Sequence, residues 1–328
     1  MTRIAPQMAY EYGKELDQKP TRDGYGEALV ELGHENPDIV VMDADLAKST
    51  RTEWFWEAFP ERFLDAGIAE QNMLCMCAGL ACTGKIPFAS TYGVFVAGRA
   101  WDQIRTTVCY TNLNVKIGGA HGGISVGPDG ATHQALEEIA LMRVLPNMVV
   151  LSPADYIQTK KAVHLAADIF GPVYIRFGRE PIPIITSEQM PFELGKGQLF
   201  RDGTDASIIA TGPMTKPALD AAEELAAEDG LDVRVINIHT IKPIDGDIIE
   251  KAADETGAIV TAEEHQVMAG FGSAVAEAVV QRCPVPMRFI GIQDRWGESG
   301  EPDELMEVFG LTPNDIKAAV KDAIAHKK

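Results

Sequence analysis

The sequence predicts an α/β protein of two domains, a parallel sheet covered by helices on both faces followed by a smaller α/β unit. Three observations carry that prediction. Short β-branched runs alternate with segments of helical length in the first half; the rhythm fails once, in a proline-rich stretch; and a second, shorter series of the same kind follows.

In the first half the strand candidates are I-V-V-M-D-A-D at 39–45, P-F-A-S-T-Y at 87–92, V-K-I-G-G-A-H at 115–121, M-V-V-L-S-P at 148–153 and P-V-Y-I-R-F-G at 172–178. Segments between them, such as 69–83 and 94–111, have helical length. Between Arg179 and Gly203 the pattern is lost in P-I-P-I-I-T-S-E-Q-M-P-F-E, which reads as a linker. The boundary is placed near Met190, giving a first domain over residues 1–190 and a second over 191–328. Strand candidates then resume with A-S-I-I-A-T-G at 206–212, V-R-V-I-N-I-H at 233–239, A-I-V-T-A-E-E at 258–264 and M-R-F-I-G-I at 287–292. There is no internal repeat at a period of roughly 20–50 residues and no low-complexity tract, which excludes solenoids and tails.

A chain of 328 residues with 46% hydrophobic and 23% charged residues has the composition of a soluble globular protein. No apolar run approaches the roughly 20 residues that span a bilayer, and M-T-R-I-A-P-Q has no signal-peptide core, so the expected location is the cytoplasm, without membrane. Cys75, Cys77, Cys82, Cys109 and Cys283 lack the paired spacings of a zinc site or a disulfide framework and are expected as reduced core residues. Twenty-nine basic against 48 acidic residues give a net charge of −19, which would repel a phosphate backbone and argues against nucleic acid as a partner. The same field repels a phosphorylated sugar, so a site for one needs locally placed arginines.

Open parallel sheets bind ligands beyond the carboxyl ends of their strands. The run 39–45 ends in Asp43 and Asp45 with Ser49 just after it, the segment F-L-D-A-G-I-A-E ends in Glu70, and the run 115–121 ends in His121 and enters a glycine-rich loop carrying Asp129 and His133. Each has a structural reading beside the functional one. Glu70 in a first helical turn is favoured by the helix dipole. Asp45 and Ser49 are good caps for a following helix. The two histidines suit loop positions bonded to backbone, and Tyr92 and Phe95 suit an aromatic core.

Order decides between the readings. The succession T-R-D-G-Y-G-E-A-L at 21–29, D-A-D-L-A-K-S at 43–49, G-I-A-E-Q-N at 67–72, T-Y-G-V-F at 91–95, H-G-G-I-S-V-G-P-D-G-A-T-H-Q at 121–134 and F-G-R-E at 177–180 resembles the thiamine-diphosphate-binding pyrimidine domain of transketolases. L-G-K-G-Q at 194–198, I-K-P-I-D at 241–245 and E-E-H-Q-V-M-A-G-F-G-S at 263–273 resemble the C-terminal domain of that superfamily. The resemblance covers nearly the whole chain and is most specific from His121 to Gln134.

It implies a transketolase of the pentose phosphate pathway, moving a two-carbon ketol (glycolaldehyde) unit between sugar phosphates with thiamine diphosphate. Glu70 matches the carboxyl group that tunes the aminopyrimidine towards its imino form. Tyr92 and Phe95 match the aromatic wall on which the ring stacks, where phenylalanine is usual at the first position; Asp45 and Leu46 match residues flanking the cofactor. Arg22, Ser49 and Arg179 match an acceptor phosphate site with His121 near that end. Asp129 matches a reader of the sugar C2 hydroxyl, and His133 a group that bonds oxygen at the reacting carbons.

The resemblance also marks an absence. The family holds the diphosphate through Mg2+ with G-D-G and an asparagine about thirty residues on. Here G-P-D-G at 127–130, R-D-G-T-D at 201–205 and I-D-G-D at 244–247 fall in the wrong places, so no metal ligand is assigned to this chain. An N-terminal transketolase subunit carrying the diphosphate and Mg2+ domain is expected as partner, in an α2β2 assembly. Two related outlines compete: 1-deoxy-D-xylulose-5-phosphate synthase, in which the position of His121 is generally acidic, and the β subunit of a 2-oxo-acid dehydrogenase, which is not expected to carry G-P-D-G-A-T-H-Q. A non-catalytic homologue is disfavoured by the intact Glu70, His121, Asp129 and His133.

Overall fold

Runs rich in β-branched and apolar residues form most strands of the two sheets, and the computed structural model describes residues 3–327. In chain order, β1 (Gln18–Pro20) leads into α1 (Thr21–Glu35), and β2 (Ile39–Asp43) into the short helices α2 (Ala47–Thr50) and α3 (Glu53–Ala58). Next come β3 (Phe63–Asp65), α4 (Glu70–Cys82), β4 (Ile86–Tyr92), α5 (Gly93–Arg99) and α6 (Trp101–Gln103), which continues into a π-helical turn at Ile104–Cys109. β5 (Lys116–Ala120), α7 (Glu138–Arg143), β6 (Val149–Leu151), α8 (Tyr156–Asp168), β7 (Val173–Arg176) and β8 (Pro181–Pro183) complete the first half.

The second half runs β9 (Gln198–Arg201), β10 (Ala206–Ala210), α9 (Thr215–Glu228), β11 (Val233–Asn237), β12 (Thr240–Lys242), α10 (Gly246–Thr256), β13 (Ile259–Gln266), α11 (Phe271–Arg282), β14 (Met287–Ile292), α12 (Pro302–Val308) and α13 (Pro313–Ala325).

The larger sheet has the order β12-β6-β7-β5-β4-β2-β3 and is parallel except at β12, which pairs antiparallel with β6. The smaller has the order β14-β13-β10-β11-β9, antiparallel only at β9. Both faces of the larger sheet are covered, as all-apolar parallel strands require. Val41, Phe88 and Ile175 face one core with Leu29 of α1 and Val163 of α8, while Met42, Ala89 and Ile117 face another with Leu74 of α4. That second core runs on into Ile209, Ile236 and Phe271, so apolar packing continues from one sheet to the other.

Four features differ from the sequence reading. Residues 4–10, numbered with the first domain, pack on the second: Ala5 N–H donates to Phe200 O at 2.9 Å and the Tyr10 hydroxyl to Asp220 at 2.9 Å. β12 crosses the other way to edge the first sheet. The linker is ordered, with β8 pairing antiparallel to β1. Cys75 and Cys82 are exposed, correcting their expected place in the core; all five thiols are free. Small and apolar residues occupy both sides of α4, so hydropathy does not tell which side packs. No helix among the described residues is long and apolar enough to cross a membrane.

Candidate active site

Because β2, β4, β5 and β7 run parallel, their carboxyl ends open on one edge of the sheet, and the residues following them converge there. Asp43 shapes the first of these turns. Fully buried, its carboxylate accepts hydrogen bonds from Leu46 N–H at 2.5 Å and from the Thr50 and Thr52 hydroxyls at 2.8 and 2.9 Å. Burial pushes this carboxyl up to about 6, against those donors, which favour its ionised form. The turn leaves Asp45 exposed in a left-handed conformation (φ 62°), Leu46 half-buried and Ser49 in α2. No side chain caps α2 at Leu46, so neither Asp45 nor Ser49 is the cap that the sequence offered; Asp43 instead holds the turn that leads into the helix.

At the second turn Glu70 is the first residue of α4 and is 4% exposed. Its Oε1 lies 3.1 Å from Nη1 of Arg99, and the Arg99 guanidinium sits 4.0 Å over the ring of Phe95. Phe95 stacks with Tyr92 (centroids 5.5 Å), and Tyr92 stacks with His121 (3.9 Å). His133 meets both Tyr92 and Phe95 edge-on, with its Nδ1 2.8 Å from the Thr132 hydroxyl. Glu70, Arg99, Phe95, Tyr92, His121 and His133 thus form one continuous group with a carboxylate at one end and imidazoles at the other.

His121 links this group to a set of cations. It holds a left-handed conformation (φ 57°), a strained state that costs on the order of 1 kcal/mol in a non-glycine residue. Its ring is buried with Nδ1 unpartnered. Burial, reinforced by Arg22, Arg179 and His133, takes the imidazole down to about 3, so it is neutral at pH 7. Arg22 donates to Ser49 O at 3.2 Å and leaves a buried Nε without partner. Burial, with Arg51 and Arg179 adding to it, pulls its guanidinium below the ordinary value. Arg179 is held at 3.3 Å by Asp129 and at 3.2 Å by Glu180. The surface pair with Glu180, the structural alternative for Arg179, therefore exists alongside its place among the cations, and Asp129 is engaged with Arg179.

Arg99 and Arg51 of this edge went unremarked in the sequence, and Asp43 stood there only as a polar strand end, not as the residue that holds the turn. Arg99 stands four residues after Phe95 and so shares its face of α5, a spacing that was available to find it. Arg51, left-handed (φ 69°) and paired with Asp23 at 2.7 Å, follows Ser49 by two positions. Among the described residues no group of three or more His, Cys, Asp or Glu is arranged to hold a metal ion.

Fold and site together define a two-domain α/β protein whose polar, aromatic and cationic residues gather at the carboxyl edge of its first sheet. Residues 17–183 match the family described as "Transketolase, pyrimidine binding domain" and residues 195–316 that described as "Transketolase, C-terminal domain". The chain is 48% identical over 307 residues to the "Putative transketolase C-terminal section" of Methanocaldococcus jannaschii, covering 93% of this chain and 96% of that one. It is 42% identical to the "6-deoxy-6-sulfo-D-fructose transketolase subunit SqwH" of Clostridium sp., covering 95% and 97%. A solved structure described as "Split gene transketolase, inactive beta4 tetramer" superposes with a TM-score of 0.89 at 52% identity, over 94% of this chain and 99% of that one. The chain belongs to the transketolase family.

Proposed function

We propose that this chain is the pyrimidine-binding and C-terminal subunit of a two-chain transketolase, moving a two-carbon ketol unit from a ketose phosphate to an aldose phosphate in the cytoplasm. The observation that carries the reading is the buried Glu70 carboxylate at the start of α4, joined through Arg99 to the stacked Phe95 and Tyr92 rings.

Thiamine diphosphate fits this edge. Its aminopyrimidine needs a carboxyl partner and an aromatic wall, and the edge holds both, beside buried polar atoms left without partners at Thr91 Oγ1 and His121 Nδ1. When bound, the cofactor supplies the carbon nucleophile that receives the ketol unit. Glu70 would hold the proton at the far ring nitrogen, with Tyr92 and Phe95 stacking on the ring and keeping water from it. Asp45 and Leu46 would flank it. His133 would hydrogen-bond oxygen at the reacting carbons and Asp129 the C2 hydroxyl, with His121, neutral as its burial dictates, near the acceptor phosphate. Arg22, Arg179 and Ser49 would hold the acceptor phosphate, answering the −19 background with local positive charge.

Mg2+ and the diphosphate are assigned to a partner subunit carrying G-D-G and a downstream asparagine, with α2β2 as the proposed assembly. That a related structure of β chains alone is described as inactive supports the need for such a partner. A second substrate reading comes from the Clostridium relative, whose described substrate carries a sulfonate. Sulfonate and phosphate are both tetrahedral oxyanions, and an arginine pair accepts either.

The test is co-expression with the candidate partner and assay with xylulose 5-phosphate and ribose 5-phosphate, with 6-deoxy-6-sulfofructose and pyruvate run beside them. Ketol transfer by the pair and none by the lone chain is expected. Turnover of pyruvate with glyceraldehyde 3-phosphate would move the assignment to the deoxyxylulose-phosphate synthase reaction, and strong transfer by the lone chain would refute the two-subunit reading.

A further inference from the structure

The loop from β5 to α7 carries His121, Asp129 and His133, yet part of its backbone is held from the second domain. Glu264, on β13 and 2% exposed, accepts the backbone N–H of Ser125 at 2.6 Å through Oε1. The approach depends on Gly123 (φ 96°): a Cβ there would lie 2.2 Å from the carboxylate, so a side chain would push the loop off Glu264. The loop's other end is tied across the same boundary. Gln134 Nε2 donates to Glu298 O at 2.9 Å as well as to Ile124 O of the loop itself at 3.1 Å, and a Cβ on Gly297 would stand 1.8 Å from Gln134 Oε1.

Arg176 completes the connection from the end of β7, with Nε 2.5 Å from Glu138 and Nη2 donating to Glu264 O at 2.7 Å. Burial raises the Glu264 carboxyl while Arg176 lowers it, so the guanidinium offsets part of the cost of keeping a charge here. Glu264 also keeps Oε2 without a partner, a cost that hydrophobic packing at this position would avoid.

The geometry assigns Glu264 as a positioning residue: a second-domain carboxylate that fixes the loop backbone at Ser125, and through it the placement of His121 and Asp129 against Arg179, so that acceptor recognition depends on the C-terminal domain. The inference rests on the loop reading acceptor sugars, as proposed above, but the contact itself is testable without turnover. Glu264→Ala removes the acceptor for Ser125 N–H. Glu264→Gln keeps an oxygen for it and serves as the rescue variant.

In the reconstituted complex, Glu264→Ala should raise KM for the phosphorylated acceptor about tenfold or more, with kcat at saturating acceptor and cofactor affinity within about threefold of wild type. Glu264→Gln should return KM to within about threefold. Amide hydrogen exchange on the full chain should show residues 122–130 exchanging about tenfold faster in Glu264→Ala, with β10, β11 and β13 unchanged. Three results would overturn the assignment: unchanged exchange at 122–130, acceleration spread evenly over the chain, or a fall in kcat with acceptor KM unmoved. Should wild-type complex turn over no sugar phosphate, the proposed function falls while the exchange result still decides the contact.

Discussion

Glu70 and Arg99 face each other at 3.1 Å, the first residue of α4 against the last of α5, with Glu70 buried and Arg99 52% exposed on its side chain. Helix-start glutamates are ordinarily solvated, where they gain a few tenths of a kcal/mol from the helix dipole. This one gives up hydration for a single half-exposed cation, a poor exchange for stability alone and a reasonable one for a group that must meet a ligand.

Glu70→Ala in the reconstituted complex should lower kcat by about a hundredfold or more, the range expected on losing a positioned acid–base group. Size-exclusion chromatography should show the complex intact. Near-normal turnover would return Glu70 to the role of a helix-start residue.

Arg99→Ala leaves the buried Glu70 without its cation. Discounted for the exposure of Arg99, the cost should be about 1 kcal/mol, read as a lower denaturation midpoint at unchanged m-value. Adding Glu70→Gln should recover most of it, because the unpaired charge is gone. Equal loss in single and double variants would show that Arg99 contributes by packing on Phe95 instead.

Arg179→Ala should raise KM for phosphorylated acceptors about tenfold, the weight of one charge-assisted contact, with kcat little changed. Unphosphorylated sugars should be unaffected; an equal effect on them would remove the phosphate role. Asp129→Asn loosens Arg179 from its carboxylate and weakens the contact proposed for the C2 hydroxyl, so KM should rise for phosphorylated and unphosphorylated acceptors alike.

His121 gives a pH dependence whose sign follows from burial. Its folded value, about 3, lies below the ordinary 6.5, so the unfolded chain takes up the proton first. This residue's contribution is fully present above about pH 6.5 and is lost as pH falls towards 3, at no more than about 1.4 kcal/mol per pH unit. Urea unfolding at pH 7 and pH 5 should therefore show wild type losing stability relative to His121→Asn on acidification. A constant difference between the two would mean that the imidazole is already solvated.

Strand runs such as 86–92 and 116–120 were legible because parallel strands buried on both faces have little but β-branched and apolar residues to show. Glu70, Tyr92, His121 and Arg179 stood out as candidates because each lies at or just past the edge of a regular element: Glu70 opens α4, Tyr92 ends β4, His121 follows β5 and Arg179 comes three residues after β7. What was not legible depends on tertiary partners. β1 and β8 are three residues each, both ending in proline, and only their mutual pairing makes them strands. β12 belongs by number to one domain and by hydrogen bonding to the sheet of the other. The exposure of Cys75 and Cys82 reflects which side of α4 the sheet happens to cover, and nothing in the helix's own composition says so.

The supposed linker shows the same dependence and can be tested through one residue. Asp155 caps α8 by accepting Gln158 N–H at 2.9 Å, and it also accepts Ile185 N–H at 2.9 Å, Thr186 N–H at 2.7 Å and the Thr186 hydroxyl at 2.8 Å. One buried carboxylate thus satisfies four donors and pins the segment after β8 to the first domain. Asp155→Ala should cost about 2–4 kcal/mol, a lost cap plus backbone donors left dry. Asp155→Asn should cost nearly as much, because both carboxylate oxygens accept and an amide must turn its NH2 towards donors at one of them. If Asp155→Asn unfolds within about 0.5 kcal/mol of wild type, water or a shifted loop already serves those donors, and residues 184–186 are the loose connection that the prolines just before them suggested.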